Sequence, residues 1–221
     1  MDINQQIKSV IKSFQELTFN NDKMEFSGEL FISEKDSYDV KIVIGQFPNK
    51  FPLVYEMGER IPRKIDRHIY PISGNCCLTT TAKEQVLLGT RIKTLREFIL
   101  LVVIPYFQNN SYYELNRCYK EGEYSHGELG IIEGYQDILT LDNKFQIAMV
   151  LEDRIRGENL ADSDNCFCGS GLSLRKCKKG LHRKSYNDFK LIDVELLSND
   201  LYKRINPFLR EVELYKKMMR K

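Results

Sequence analysis

Two groups of residues have types and spacings that can do chemistry. The first lies in RHIYPISGNCCLTT, residues 67 to 80, where His68 precedes the adjacent pair Cys76 and Cys77, which follow Gly74 and Asn75. The second lies in CFCGSGLSLRKCKKGLH, residues 166 to 182. One residue separates Cys166 from Cys168, eight more separate Cys168 from Cys177, and a further four separate Cys177 from His182. Thiolates and an imidazole at such spacing suit a borderline-soft ion in tetrahedral geometry, which makes zinc the expected cofactor. The Gly169-Ser170-Gly171 turn lets the ligands converge. Arg175, Lys176, Lys178 and Lys179 would offset the charge of three thiolates. A unit this small cannot fold on its own core, so the metal is expected to be structural. The competing reading is a set of unmetallated cysteines in a basic tail.

The adjacent pair admits more than one reading. A free thiol has a pKa near ~8.5, so a few per cent is thiolate at neutral pH. That fraction suffices for thioester exchange. A protease would need a base on the thiol; His68 could be one, but no third group is evident to orient it. The alternative is that both cysteines are small buried residues, a common fate of free cysteine. Cys118 reads as an ordinary loop or core thiol.

The elements that must position these groups follow from hydrophobic periodicity. Ile3, Ile7, Val10, Ile11, Phe14 and Leu17 recur at helical spacing. Three alternating runs then predict an antiparallel meander: Met24 to Ile32, Tyr38 to Ile44, and Phe51, Leu53, Tyr55 and Met57. Residues 58 to 90 show no clear period. A helix is expected from Ile92 to Ile104, ended by Pro105, and a polar loop from 108 to 130. Asp142 can cap a helix running to about Arg156, stopped by Gly157. Asn206-Pro207 reads as the cap and first residue of the last helix. Helices segregate from strands along the chain, which predicts an α+β fold.

Composition narrows the function. The six cysteines, three of them at ligand spacing, fit a reducing compartment, so a cytoplasmic location is expected. The start is polar and amphipathic, unlike a secretory signal. The most apolar run, residues 98 to 107, is too short to cross a bilayer. A net charge of +2 argues against direct nucleic-acid binding.

The order of helix, meander, proline-containing turn, His, Gly and Cys-Leu resembles the ubiquitin-conjugating enzyme (UBC) fold. QFPNKFPLVYEMG (46–58) resembles that family's turn and third strand, RHIY (67–70) its histidine position, and GNCCL (74–78) its Gly-x-x-Cys-Leu. The chain resembles more closely the prokaryotic members found in CBASS antiphage operons. These share an aromatic stretch ending in His-Gly-x-x-Gly, here residues 106 to 130 with His126, Gly127 and Gly130. The resemblance covers about residues 1 to 150. It implies that Cys77 is the thioester cysteine and that Cys76 packs inward. Ile69 and Tyr70 replace the family's Pro-Asn, whose asparagine helps stabilise the oxyanion. Asn75 or backbone N–H groups could take that role, with His68 shaping the loop.

CFCGSG with its third cysteine resembles the SEC-C zinc motif. Lys178 stands where that family has its fourth ligand, leaving His182 as the nearest substitute. The implied domains are 1–157 (UBC-like), 158–165 (linker), 166–190 (SEC-C-like) and 191–221 (C-terminal helices). The implied function is a transferase forming a thioester with a protein C-terminus. In such operons that C-terminus belongs to a cGAS-like nucleotidyltransferase. No phosphate-binding glycine loop is present, so activation is expected either from a separate adenylating protein or by attack of the enzyme on a preformed bond. A catalytically inactive binding module of the same fold is the alternative, and a deconjugating thiol hydrolase is a weaker third.

Overall fold

The apolar stripe at the N-terminus forms helix α1 (Ile3–Ser13), which buries Gln6, Ile7 and Val10. The computed structural model describes Asp2 to Met218; the last three residues of the expected C-terminal segment lie outside it. The helix stops earlier than its periodicity predicts. Leu17 opens a strand, β1 (Leu17–Asn20), paired opposite Gly28. Gly28 explains the change: its φ is +135°, and a Cβ there would lie 2.2 Å from the Glu16 carbonyl oxygen. The chain can therefore lie against β2 (Glu25–Ser33) only because residue 28 has no side chain.

With β3 (Asp36–Val43) and β4 (Leu53–Glu56) the sheet has four antiparallel strands in the order β1-β2-β3-β4, one more than expected. The α+β class stands. Phe26, Leu30 and Ile32 of β2 point into the core with Tyr38, Val40 and Ile42 of β3. The expected inward row of β4 is out by one residue. Val54 and Glu56 face inward, while Leu53 and Met57 are about half exposed. Register decides this, because Val54 pairs with buried Ile42 and Glu56 with buried Val40. The Glu56 carboxylate accepts from Gly58 N–H at 2.8 Å and Ile61 N–H at 3.4 Å, which makes its burial tolerable.

The stretch expected to be irregular contains a helix, α2 (Thr81–Thr90). Thr94 and Glu97 form a capping box for α3 (Leu95–Phe98). Pro105 does not end the helical path. It sits in the first turn of α4 (Ile104–Asn116), immediately after a wider π turn, Ile99–Val103. Inside a continuing helical path a proline lacks the N–H that the ladder would use, and the wider π turn just before it is where the path accommodates the missing bond. Residues 108–116, expected as loop, are therefore helix. Their polar side chains are engaged: Gln108 Nε2 donates to the Ile32 carbonyl at 2.8 Å, and Asn110 is buried.

The chain forms two compact units, Met1–Thr79 with Leu87–Glu123, and Thr80–Val86 with Tyr124–Lys221. In the second, α5 (Glu128–Leu139) is followed by α6 (Lys144–Ile155), capped by Asn143 rather than Asp142. Asn143 Oδ1 accepts from Phe145 and Gln146 N–H at 3.0 and 3.2 Å. Past the cysteine cluster come α7 (Leu181–Phe189), α8 (Val194–Asn199) and α9 (Asn206–Met218). A second π turn, Asp200–Ile205, joins α8 to α9, so Asn206 is helical rather than a cap. Pro207 repeats the device of Pro105. Tyr135, Leu139, Ile147, Leu151, Phe189, Leu197 and Ile205 form the core of this unit. No described helix is long and apolar enough to cross a membrane.

Candidate functional sites: a cysteine pair and a cysteine–histidine centre

The pair is built on a small ladder in the first unit. Asn75 bridges to Tyr55, and Cys76 bridges to Ile69. Cys76 N–H donates to the Val54 carbonyl, and Cys77 N–H to the His68 carbonyl, both at 2.7 Å. Gly74, with φ at +75°, closes the loop through Gly74 N–H to the Tyr70 carbonyl at 2.8 Å. Extended backbone sends successive side chains to opposite sides, so Asn75 and Cys77 share the face that Cys76 turns away from. Cys76 is 4% exposed within the core, whereas Cys77 is only partly buried. Burial pushes the Cys76 thiol up to about 12, so at neutral pH it stays protonated beside the Tyr106 hydroxyl.

His68 lies in the left-handed region at φ 54°. Its Nε2 is 2.9 Å from Glu123 Oε2, and its ring meets Tyr119 edge-on at 5.4 Å. Its carbonyl accepts both Cys77 N–H and the Tyr106 hydroxyl, the latter at 2.9 Å. The backbone of His68 therefore holds Cys77. Asn75 Oδ1 accepts from Ser73 Oγ at 2.5 Å, and Asn75 Nδ2 is 3.4 Å from the Cys76 carbonyl.

Two further residues support this loop and were not singled out from the sequence. Tyr106 is one. The other is Arg67, 8% exposed, which donates to Tyr119 Oη at 3.2 Å and Asn110 Oδ1 at 3.1 Å. Its guanidinium lies 3.9 Å from the Tyr113 ring centre. In the sequence Arg67 ends the basic run RIPRKIDR, and the rings it meets, Tyr113 and Tyr119, lie far downstream.

In the second unit Cys166, Cys168, Cys177 and His182 bring their ligand atoms within 4.8 Å of one another. Cys166 Sγ and Cys177 Sγ lie 3.1 and 3.3 Å from His182 Nδ1, and Cys168 Sγ lies 3.5 Å from Cys177 Sγ. A bridge between Asn165 and Ser173 folds the first two cysteines back, with Gly169 and Gly171 both left-handed. Lys178 (φ 43°), Lys179 (φ 55°) and Gly180 (φ 87°) then reverse the chain before α7. Past this run of left-handed residues His182 meets the sulfurs, while Lys178 stays exposed and its Nζ reaches the Thr140 carbonyl at 3.0 Å. A tetrahedron with zinc-type bond lengths has S···S edges near ~3.8 Å and S···N edges near ~3.5 Å, so these three edges are each a few tenths of an ångström short of it, and every other edge lies within 4.8 Å.

The electrostatics of the metal-free cluster differ from thiol to thiol. Burial opposes a Cys168 thiolate, but hydrogen bonds from the Ser170 side chain and backbone outweigh it and bring the thiol down to about 7. Burial pushes Cys166 up to about 12. Burial also lowers His182, which keeps the fully buried ring neutral with a lone pair to donate. Phe167 stacks on that ring at 4.9 Å. The set can hold a metal ion of the kind thiolates and imidazole bind. Comparison with family models, curated proteins and solved structures found no match to the chain.

Proposed function

We propose that the chain is a UBC-like cysteine acyltransferase acting through Cys77. The observation that carries this reading is the division within the pair: Cys77 is partly accessible while its neighbour is buried and held protonated. The Cys77 thiolate attacks the carbonyl of an activated C-terminal ester, the leaving group departs, and a thioester forms. A lysine amine then attacks the thioester, forming an isopeptide bond and returning the thiol. Asn75 shares the face of Cys77, and its Nδ2 can donate to the developing oxyanion. A helix and an antiparallel meander precede Gly74 and Cys77 along the chain, which supports this reading, although the sheet has four strands where the resemblance implies three. The partner is the C-terminus of a cGAS-like nucleotidyltransferase in cytoplasmic antiphage defence, with an adenylating protein supplying activation. In the second unit Cys166, Cys168, Cys177 and His182 hold zinc, whose contribution is structural.

One observation favours the second reading, a binding module without transfer activity. The N–H groups of both cysteines are already bonded to Val54 and His68 carbonyls, so neither can serve an oxyanion without rearrangement. Co-expression with the candidate partner and activating protein, analysed on non-reducing gels, separates the two. A thiol-labile adduct that survives Cys76→Ala and vanishes in Cys77→Ala supports transfer. Partner capture without an adduct in any variant supports the binding module.

A further inference from the structure

The turn after α5 breaks an ordinary backbone rule. Thr140 ends the helix in the left-handed region, at φ 52° and ψ 45°. For a β-branched residue that conformation is an outlier. Such strain persists only where the surroundings over-determine it, and it gathers at functional positions. Here the surroundings are the cysteine–histidine centre. The Thr140 N–H bonds back to the Gln136 carbonyl, and the Thr140 carbonyl accepts from two side chains of the centre. These are His182 Nε2 at 3.3 Å and Lys178 Nζ at 3.0 Å. The Thr140 hydroxyl donates to the Leu139 carbonyl at 2.7 Å and meets Ser185 Oγ of α7 at 3.3 Å.

The imidazole is thus held at both nitrogens. Nδ1 faces the sulfurs of Cys166 and Cys177, and Nε2 faces a carbonyl. A ligating histidine needs its second nitrogen protonated and directed, and loss of such a partner typically costs 10–100-fold in metal affinity. We propose that Thr140 is the positioning residue of the metal centre, its carbonyl fixing which nitrogen of His182 faces the metal. This rests on the reading of the four residues as a metal site. It also gives Lys178 a role: the residue that takes the place of a ligand donates from Nζ to the same carbonyl.

The full chain is loaded with Zn²⁺, its metal content measured, and the His182 side-chain nitrogens read by ¹⁵N NMR. The expected result is a proton on Nε2, slow to exchange, and metal on Nδ1. Zinc affinity is then compared by chelator competition in Thr140→Gly and Thr140→Pro. Glycine tolerates the left-handed turn and keeps the carbonyl in place, so affinity is retained. Proline, fixed near φ ~−65°, swings the carbonyl away, and affinity falls about 10–100-fold. Stoichiometric zinc bound through Nε2, or equal affinity in the two variants, overturns the role of Thr140 alone. If Thr140→Pro does not fold, the NMR result on the unaltered chain decides. Zinc content near zero overturns the metal reading itself.

Discussion

The two cysteine regions solve opposite problems. Cys76 and Cys77 are adjacent in sequence, and extended backbone separates them, one into the core and one toward the outer face. Cys166, Cys168 and Cys177 are apart in sequence, and left-handed turns at Gly169, Gly171, Lys178, Lys179 and Gly180 collect them with His182. Proximity in sequence is therefore a poor guide to shared chemistry. The local backbone decides which thiols act together and which act alone.

Removing a thiol should have unequal consequences in the two regions, and this is the largest effect expected. Apparent zinc-binding energies in small structural sites reach ~10–16 kcal/mol, so chelation or Cys177→Ser should cost the second unit its cooperative melting. Cys77→Ser should leave thermal unfolding within about 0.5 kcal/mol of the unaltered chain. Calorimetry that finds equal losses from both changes would break the contrast.

Cys76→Ser comes next. It replaces a buried thiol beside the Tyr106 hydroxyl with a smaller, more polar hydroxyl and should cost about 1–3 kcal/mol in urea unfolding without slowing alkylation of Cys77. A neutral change would mean that Cys76 is not the buried member.

Each unit also buries charged side chains, the first Glu56 and Arg67 and the second Asp200. Arg67 of the first is a cation among aromatic rings, whereas Asp200 of the second is a carboxyl accepting from the Tyr135 hydroxyl at 2.8 Å. Burial raises the Asp200 carboxyl above its ordinary value. A raised folded value means that its contribution is full below the unfolded value of ~3.9 and is lost as pH climbs through the folded one. Asp200→Asn should therefore stabilise the chain at neutral pH and flatten this pH dependence, by less than the Cys76 change. Urea midpoints measured across acid to neutral pH check it; a less stable variant at neutral pH would contradict it.

The smallest effect tests the turns. Lys179 adopts φ 55°, where a non-glycine residue is strained by ~1–2 kcal/mol. Lys179→Gly relieves that strain but adds freedom to the unfolded chain, so a net gain of about 0.5 kcal/mol is expected. A loss in thermal unfolding would show that the lysine side chain, rather than the backbone, matters there.

What was legible in the sequence follows the same division. The cysteine–histidine cluster that could hold a metal was readable because cysteine spacing and Gly-Ser-Gly carry their geometry locally. The sheet was readable except at β1, whose existence depends on Gly28 admitting the Glu16 carbonyl, a contact between distant residues. The inward face of β4 could not be read from its apolar alternation, since pairing with β3 sets it. Helix α2 buries only Ala82 and Val86, too little for a periodic signal. Pro105 and Pro207 suggested a stop and a start, yet each follows a π turn inside a longer helical path. Arg67 and Thr140 act through the partners they meet in the fold, Tyr113 and Tyr119 for one and His182 for the other. Nothing in their neighbouring residues announces that.

The central claim is that backbone alternation makes Cys77 the chemically available member of the pair. Its most direct test is the rate of alkylation of each cysteine in the folded, metal-loaded chain. Site-resolved mass spectrometry reads the modification, with exposed Cys118 as the internal reference. The account predicts that Cys77 is modified on the timescale of Cys118 while Cys76 stays unmodified until the chain is unfolded. Modification of Cys76 as fast as Cys77, or faster, would contradict it.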